Sequence, residues 1–285
     1  MLKVWIVGAN GQLGTAINEV LDPLEMQVFD TDKEDLDITQ TEEVLNFGEV
    51  NRPDVIINCA AVTDTEICDK NPELAYRVNA LGARNLSIVA RKIGAKIVQL
   101  STDDVFDGVR AVPYNEFDDT KPRTTYGRSK RAGENYVKEF THKHFIIRSN
   151  WVYGKGENFV NRILREADEN GPVRVACDQY GSPTSAKDLA RLILYLIHTN
   201  EYGTYHATCQ GMCNRYDFAQ EIIRLAGKKA EIQAVPSRES KSAARPSYAV
   251  LDNFILRIID VYEMPDWKTS LAEYIDEYKK EREDA

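Results

Sequence analysis

Tyr126 and Lys130 stand four residues apart in the stretch TTYGRSK, with only small or polar residues between them. On a helix that spacing is about one turn, so both side chains leave the same face. A phenol titrates near 10 and gives up its proton reluctantly near neutrality. An ammonium one turn away favours the phenolate and lowers that barrier, which would make the pair a proton-transfer device. The same spacing also fits an ordinary solvated pair, with the lysine stem lying along the ring. The elements that position the two residues have to decide.

A second group of residues with chemical potential lies at the N-terminus. The apolar run LKVWIVGA leads into GANGQLG, where Gly8, Gly11 and Gly14 are spaced three apart. After a strand and before a helix, such glycines let the backbone turn tightly and approach a pyrophosphate, and the helix N-terminus offers its free N–H groups to that anion. Asp30 ends the next apolar run, MQVFD, at the distance where a carboxylate accepts hydrogen bonds from an adenosine ribose and repels a 2′-phosphate. The expected cofactor is therefore a dinucleotide, with NADH favoured. Lys33 is close enough to leave NADPH open. The plainer role for Asp30 is a turn residue ahead of Thr31 and Asp32.

The elements around these residues follow one rhythm. LKVWIVGA, MQVFD, DVIINCAA, KIVQLST and HFIIRSNWVY read as short strands, with helical patterns between them at Gln12–Leu21, Thr41–Val50, Pro72–Ile93 and Thr125–Phe140. Continuous apolar strands alternating with helices predict an α/β fold, a doubly wound parallel sheet of the NAD(P)-binding Rossmann type, with ligands at the carboxyl ends of its strands. NCAAVTD and LSTDDVFDG would then open onto the same crevice as the glycine loop, placing Thr102 where a nicotinamide is expected. After Trp151 the rhythm loosens. Residues 1–150 are expected to form the cofactor domain and 151–285 mainly a smaller C-terminal substrate lobe, with the helix near 185–198 packing back on the first domain.

Composition narrows the classes of function. Of 285 residues, 43% are hydrophobic and 28% charged, which is ordinary for a globular chain with a sizeable core. The net charge of -9, with basic residues scattered, argues against nucleic acid as a partner. The N-terminal apolar run is broken by Gly8 and is too short for a membrane span or signal peptide. Five scattered cysteines, Cys59, Cys68, Cys177, Cys209 and Cys213, point to reduced thiols in the cytoplasm. Cys209 and Cys213 with His206 do not have standard zinc-ligand spacing, and no metal site is expected.

At this point the chain resembles the extended short-chain dehydrogenase/reductase superfamily and, within it, the dTDP-4-dehydrorhamnose reductase family. The resemblance rests on GANGQLG, LDIT, PDVIINCAA, STDDVFDG, YGRSK, IIRSNWVYG, NFV, DQYGSPT and ARPSYAVLD, which together span nearly the whole chain. It implies that Thr102, Tyr126 and Lys130 form the catalytic set. It implies that Gly8, Asn10, Gly11, Gln12, Leu13 and Gly14, with Asp30, Asp37 and Ile38, hold the cofactor, and that Ala60, Ala61, Thr63 and Asn79 lie beside it together with Tyr126 and Lys130. A dTDP-sugar substrate would meet Thr65, Asp103, Asp104, Trp151, Gln179, Thr184 and Arg245. The implied reaction is NAD(P)H-dependent reduction of a C4 ketone on a 6-deoxy sugar nucleotide, by a monomer or homodimer.

The chain departs from the family pattern in three places. Asp104 stands where the family usually has tyrosine, so that Asp103 and Asp104 resemble the acidic pair of sugar-nucleotide 4,6-dehydratases. Thr65 and Glu66 replace the commoner valine and aspartate. Ala16 occupies the position where some members carry a glutamate that helps bind a metal between subunits. A dehydratase or epimerase, and a non-catalytic regulatory subunit resembling that of methionine adenosyltransferase, therefore stay open beside the reductase.

Overall fold

The computed structural model describes residues 1–169, 171–239, 246–260 and 262–283. Six short strands form the central sheet: β1 (Leu2–Val7), β2 (Met26–Thr31), β3 (Val55–Asn58), β4 (Lys96–Thr102), β5 (His144–Ser149) and β6 (Gly203–His206). They run in the order β6-β5-β4-β3-β1-β2, with every neighbouring pair parallel. Successive side chains point to opposite faces of a strand. Val4, Ile6, Ile57, Val98 and Ile147 therefore enter one apolar cluster, while Trp5, Val7, Ile56, Ile97 and Ile146 enter another.

Helices cover both faces, which is why central strand residues such as Val4, Trp5 and Ile6 of β1 and Val55, Ile56 and Ile57 of β3 are apolar and buried. Helices α1 (Gln12–Val20) and α5 (Ala186–Ile197) lie on the first face. Helices α2 (Thr41–Asn51), α3 (Ala83–Ile93) and α4 (Thr125–Phe140) lie on the second. The direction in which strands are added reverses between β1 and β3, and their carboxyl ends open a crevice at that switch point.

The sixth strand comes from beyond residue 150, so the sheet takes one edge from the second half of the chain. Lys96, at the start of β4, ties the two halves further by donating to the carbonyls of Ile197 (2.9 Å) and Thr199 (2.6 Å) at the end of α5. There a cation also meets the negative end of the helix dipole. The rest of the second half is built from two-stranded pairs and the helices Phe159–Glu166, Arg215–Ala226 and Trp267–Glu283. Phe218 gathers Trp151, Phe159 and Trp267 around its ring, and this aromatic group is continuous with the cluster under α1.

One element differs from its sequence pattern. The stretch expected as a single helix over Pro72–Ile93 is an α-turn at Pro72–Tyr76, a π-helical turn at Arg77–Gly82, and then α3. A π-turn inserts one residue without interrupting the apolar face, so periodicity does not reveal it. The turn packs closely at Gly82, where a Cβ would sit 2.5 Å from Cδ1 of buried Ile38.

Candidate active site

The turn between β1 and α1 is shaped by its glycines. Gly8 has φ +78°, and a Cβ on it would lie 2.7 Å from the backbone nitrogen of Ala60, just past β3. The turn thus sits flush on the switch point. A Cβ on Gly14 would lie 2.6 Å from Cα of Ala9, so only glycine lets α1 start this close to β1. Gly11 precedes α1 and no side chain caps the helix, leaving its first-turn N–H groups for an anion. Of the other loop residues, Leu13 is buried in the core and Asn10 is exposed. Gln12 sends its amide to the carbonyl of Glu157 at 2.9 Å, linking α1 to the second half of the chain.

Acidic residues lie at the end of β2 and just past it. Asp30 is exposed and accepts from Asn18 Nδ2 of α1 at 3.0 Å. Asp32 is the carboxylate that touches the glycine loop, accepting the N–H of Asn10 at 3.1 Å. Asp37 caps its own turn through Thr39 N–H (2.9 Å), and that hydrogen bond holds its carboxyl below the usual range. Ile38 is buried, with its carbonyl accepting from Asn85 Nδ2 at 2.9 Å.

The segment after β3 carries Ala60 and Ala61, both half-buried, then exposed Thr63 and half-buried Thr65. Ala60 N–H donates to Asn58 Oδ1 at 3.2 Å. Asn79, in the π-turn, binds both polar groups of the Val62 backbone, accepting its N–H at 2.8 Å and donating to its carbonyl at 3.0 Å. The same amide group donates to Ser129 Oγ at 2.9 Å. Asn79 therefore locks the rim of the cofactor crevice to α4.

Thr102 ends β4 and caps the short 3₁₀ turn Asp103–Val105, accepting from Asp104 N–H at 3.2 Å. Its hydroxyl hydrogen goes to Asp103 Oδ1 at 3.0 Å. Helix α4 begins beside this turn, capped by Thr124, whose Oγ1 accepts from Gly127 N–H at 2.9 Å. A Cβ on Gly127 would overlap the carbonyl oxygen of Asp104. The first turn of α4, carrying Tyr126, therefore rests directly on the turn that starts at Thr102. Tyr126 is mostly buried against Val62, Cys68 and Ala75.

Lys130 follows one turn later and is 4% exposed. Burial lowers its ammonium to about 8, with Glu134 and Cys59 pulling the other way. Burial raises the Cys59 thiol to about 12, against the pull of Lys130. The pair in the TTYGRSK stretch is thus enclosed, not solvated.

In the second half, Trp151 adopts φ +45°, an uncommon backbone conformation for a bulky residue. Arg215 lies over its ring at 3.7 Å, and a Cβ on Gly181 would lie 2.6 Å from the indole Cε2. Gln179 is buried beside them, its carbonyl accepting from Arg215 N–H at 3.1 Å. Thr184 is fully buried, donating to the Ser182 carbonyl (3.0 Å) and accepting from Cys209 N–H (3.3 Å), so its hydroxyl is committed within the protein. Asp104 is 1% exposed in its 3₁₀ turn. Arg245 falls outside the described residues.

Four residues with a part in this geometry were not singled out from sequence: Asp32, Glu134, Arg148 and Arg215. Arg148 carried a usable signal, as a lone charge inside the apolar strand HFIIRS. So did Glu134, one further turn beyond Lys130 on the same face. Nothing in local sequence marks Arg215 as the partner of Trp151.

Comparisons with known proteins show the family to which the chain belongs. The profile of the RmlD substrate binding domain family matches residues 2–280. The dTDP-4-dehydrorhamnose reductase of Streptomyces griseus is 38% identical over 280 residues, covering 94% of this chain and 92% of that protein. The crystal structure of a dTDP-4-dehydrorhamnose reductase from Clostridium acetobutylicum superposes with TM-score 0.95 at 43% identity, covering 98% of this chain and all 100% of that one. The Bacillus anthracis enzyme, solved in complex with NADP, gives TM-score 0.95 at 42% identity, covering 97% and 99%. With the glycine cradle, the enclosed Tyr126–Lys130 pair and an end-to-end match, this chain belongs to the dTDP-4-dehydrorhamnose reductase family.

Proposed function

We propose that this chain reduces the C4 ketone of dTDP-4-dehydro-L-rhamnose to dTDP-L-rhamnose, with NAD(P)H as reductant. The observation that carries the proposal is the buried Tyr126–Lys130 pair resting on the Thr102 turn, beside a glycine cradle suited to a dinucleotide. The cradle fits such a group because side chains at Gly8 and Gly14 would fill it and the start of α1 is uncapped. When bound, the nicotinamide supplies the hydride. Gly8, Gly11, Gly14, Asp37, Ala60 and Asn79 would hold the cofactor or shape its crevice.

The chain's own residues supply the proton. Tyr126 donates its phenolic proton to the oxygen as the C4 carbonyl becomes an alcohol. Lys130, one turn away and enclosed, stabilises the phenolate that this leaves. A threonine hydroxyl has one hydrogen to donate. Thr102 therefore turns its O–H from Asp103 to the substrate oxygen, exchanging one hydrogen bond for another. Residues 151–285 serve mainly as the nucleotide-sugar lobe, with Trp151 and Gln179 towards the substrate and Thr184 holding the loop beneath them.

NADH is the favoured reductant in this proposal, because Asp30 and Asp32 both place carboxylates near the end of β2 and Asp32 reaches the glycine loop. The enzyme acts in the cytoplasm as a monomer or homodimer. Among the described residues no helix is long and apolar enough to cross a membrane. The test is oxidation of NADH and NADPH, followed by absorbance, on adding the dTDP-4-keto-6-deoxy-L-sugar. The proposal expects one cofactor consumed per sugar reduced. A cofactor that binds but is returned unchanged each cycle would move the assignment to the dehydratase or epimerase class, through Asp104. A chain that binds cofactor and converts no sugar would point to a regulatory role.

A further inference from the structure

Helix α4 carries a third buried side chain on the face that bears Tyr126 and Lys130. Glu134, one turn beyond Lys130, is 0% exposed. Its Oε1 accepts from Ser101 Oγ at 2.6 Å and Arg148 Nε at 2.8 Å, and its Oε2 from Arg148 Nη2 at 2.8 Å and Arg131 Nη1 at 3.3 Å. Ser101 immediately precedes Thr102 on β4, and Arg148 sits directly opposite Ser101 on β5. One carboxylate thus joins the helix that carries Tyr126 and Lys130 to the strand that ends in Thr102.

Stability does not account for this choice. Taking a carboxylate and a guanidinium out of water is costly, and a packed apolar group often holds a helix on a sheet as well. What an apolar group cannot supply is direction and charge. The bidentate fork fixes α4 in rotation and translation against β4 and β5. Close packing of the same helix leaves it little slack, since a Cβ on Gly133 would overlap the carbonyl oxygen of Asn79.

We propose that Glu134 is a positioning residue for the reduction, setting the register of α4 against the end of β4 and balancing the charge of the enclosed Lys130. The proposal rests on the reductase reading. Lys130 is faced by Glu134 from its own helix and by the Cys59 thiol from the end of β3. Glu134 is faced in turn by Arg131 and Lys138 of α4 and by Arg148 of β5. Behind Arg148 stands His206 of β6, whose Nε2 accepts from Arg148 Nη1 at 3.5 Å. Removing the Glu134 charge alone would leave these cations unbalanced around Lys130, which would then release its proton at lower pH.

Glu134→Gln keeps the size and loses the charge. We expect kcat to fall at least tenfold and the alkaline limb of kcat to move down by about one pH unit. The Lys130 titration, followed by NMR in protein labelled with ¹³Cε-lysine and assigned with Lys130→Arg, should move by the same amount. Ser101→Ala keeps the charge and removes the tie to β4, so kcat should fall several-fold with the Lys130 titration unmoved. A Glu134→Gln protein that folds and titrates as the parent does would overturn the charge role. Unchanged kcat in Ser101→Ala would overturn the register role, and it decides that half even if Glu134→Gln fails to fold. A parent chain that oxidises no cofactor would sink the reductase reading, while the Lys130 titration would still decide whether Glu134 sets its charge.

Discussion

Gly127 offers a test in which two known effects oppose each other. It lies inside the first turn of α4, where replacing glycine by alanine normally gains about 1 kcal/mol of helix propensity. Here a Cβ would overlap the carbonyl oxygen of Asp104 and lie 2.9 Å from its carbon. Ordinary contacts of this kind begin at roughly 3.3–3.5 Å, so helix and turn must part by about 1 Å or more. Both sides of the clash are backbone, and no rotamer relieves it. Overpacking of this sort costs about 1–3 kcal/mol, which exceeds the propensity gain or cancels it. We therefore expect Gly127→Ala to melt at the same temperature as the parent or several degrees lower.

Activity should suffer far more than stability. The displaced turn moves Tyr126 relative to Thr102, and misplacement of about 1 Å at a reacting centre costs on the order of 10²-fold in rate. The assay is kcat/KM for cofactor oxidation beside a thermal melt, expecting a loss of about tenfold to a hundredfold. Gly48→Ala is the control, since its Cβ would overlap the Val89 side chain on α3 and meet no residue of this turn. It should leave kcat unchanged. A Gly127→Ala enzyme that is fully active and melts higher would refute the claim that α4 bears directly on the Asp104 turn.

Two further outcomes follow from the same geometry. His206 is fully buried, and burial first, then Arg148, lower its ring to about 3 from 6.5. The folded chain thus refuses a proton that the unfolded chain accepts below pH 6.5, so stability is lost as pH falls from 6.5 towards 3. At about 1.4 kcal/mol per pH unit the loss reaches about 2 kcal/mol at pH 5. His206→Asn retains a donor for the carbonyls of Tyr114 and Asp252 and should flatten this slope in urea unfolding at pH 7.5 and 5. An equal slope in both proteins would remove His206 from the account. Replacing Asp32 by serine should shift the kcat/KM ratio towards NADPH by about tenfold, more than Asp30→Ser does, because Asp32 and not Asp30 meets the glycine loop. A larger effect at Asp30 would make Asp30 the carboxylate that sets the choice.

The parallel sheet was legible because its strands are apolar on both faces and short, and each of the five runs identified in sequence forms a strand. The sixth, Gly203–His206, takes its place at the sheet edge through a long-range pairing with β5 that local sequence does not mark. The glycine loop was legible because the backbone itself demands those residues. The division between Asp30 and Asp32 was not, since two carboxylates two apart on a strand end differ only in where the chain turns. The π-turn around Asn79 hid inside an unbroken apolar stripe. The geometry of Trp151, with its positive φ and its partner Arg215, is tertiary in origin and leaves no mark in local sequence.

The most direct test of the account follows the transferred hydrogen. The reduced cofactor, deuterated at nicotinamide C4, is turned over with the 4-keto sugar, and the product is read by NMR. The account predicts deuterium at C4 of the sugar, one per cofactor oxidised, and its loss in Tyr126→Phe. Product without deuterium, or transfer undiminished in Tyr126→Phe, would contradict it.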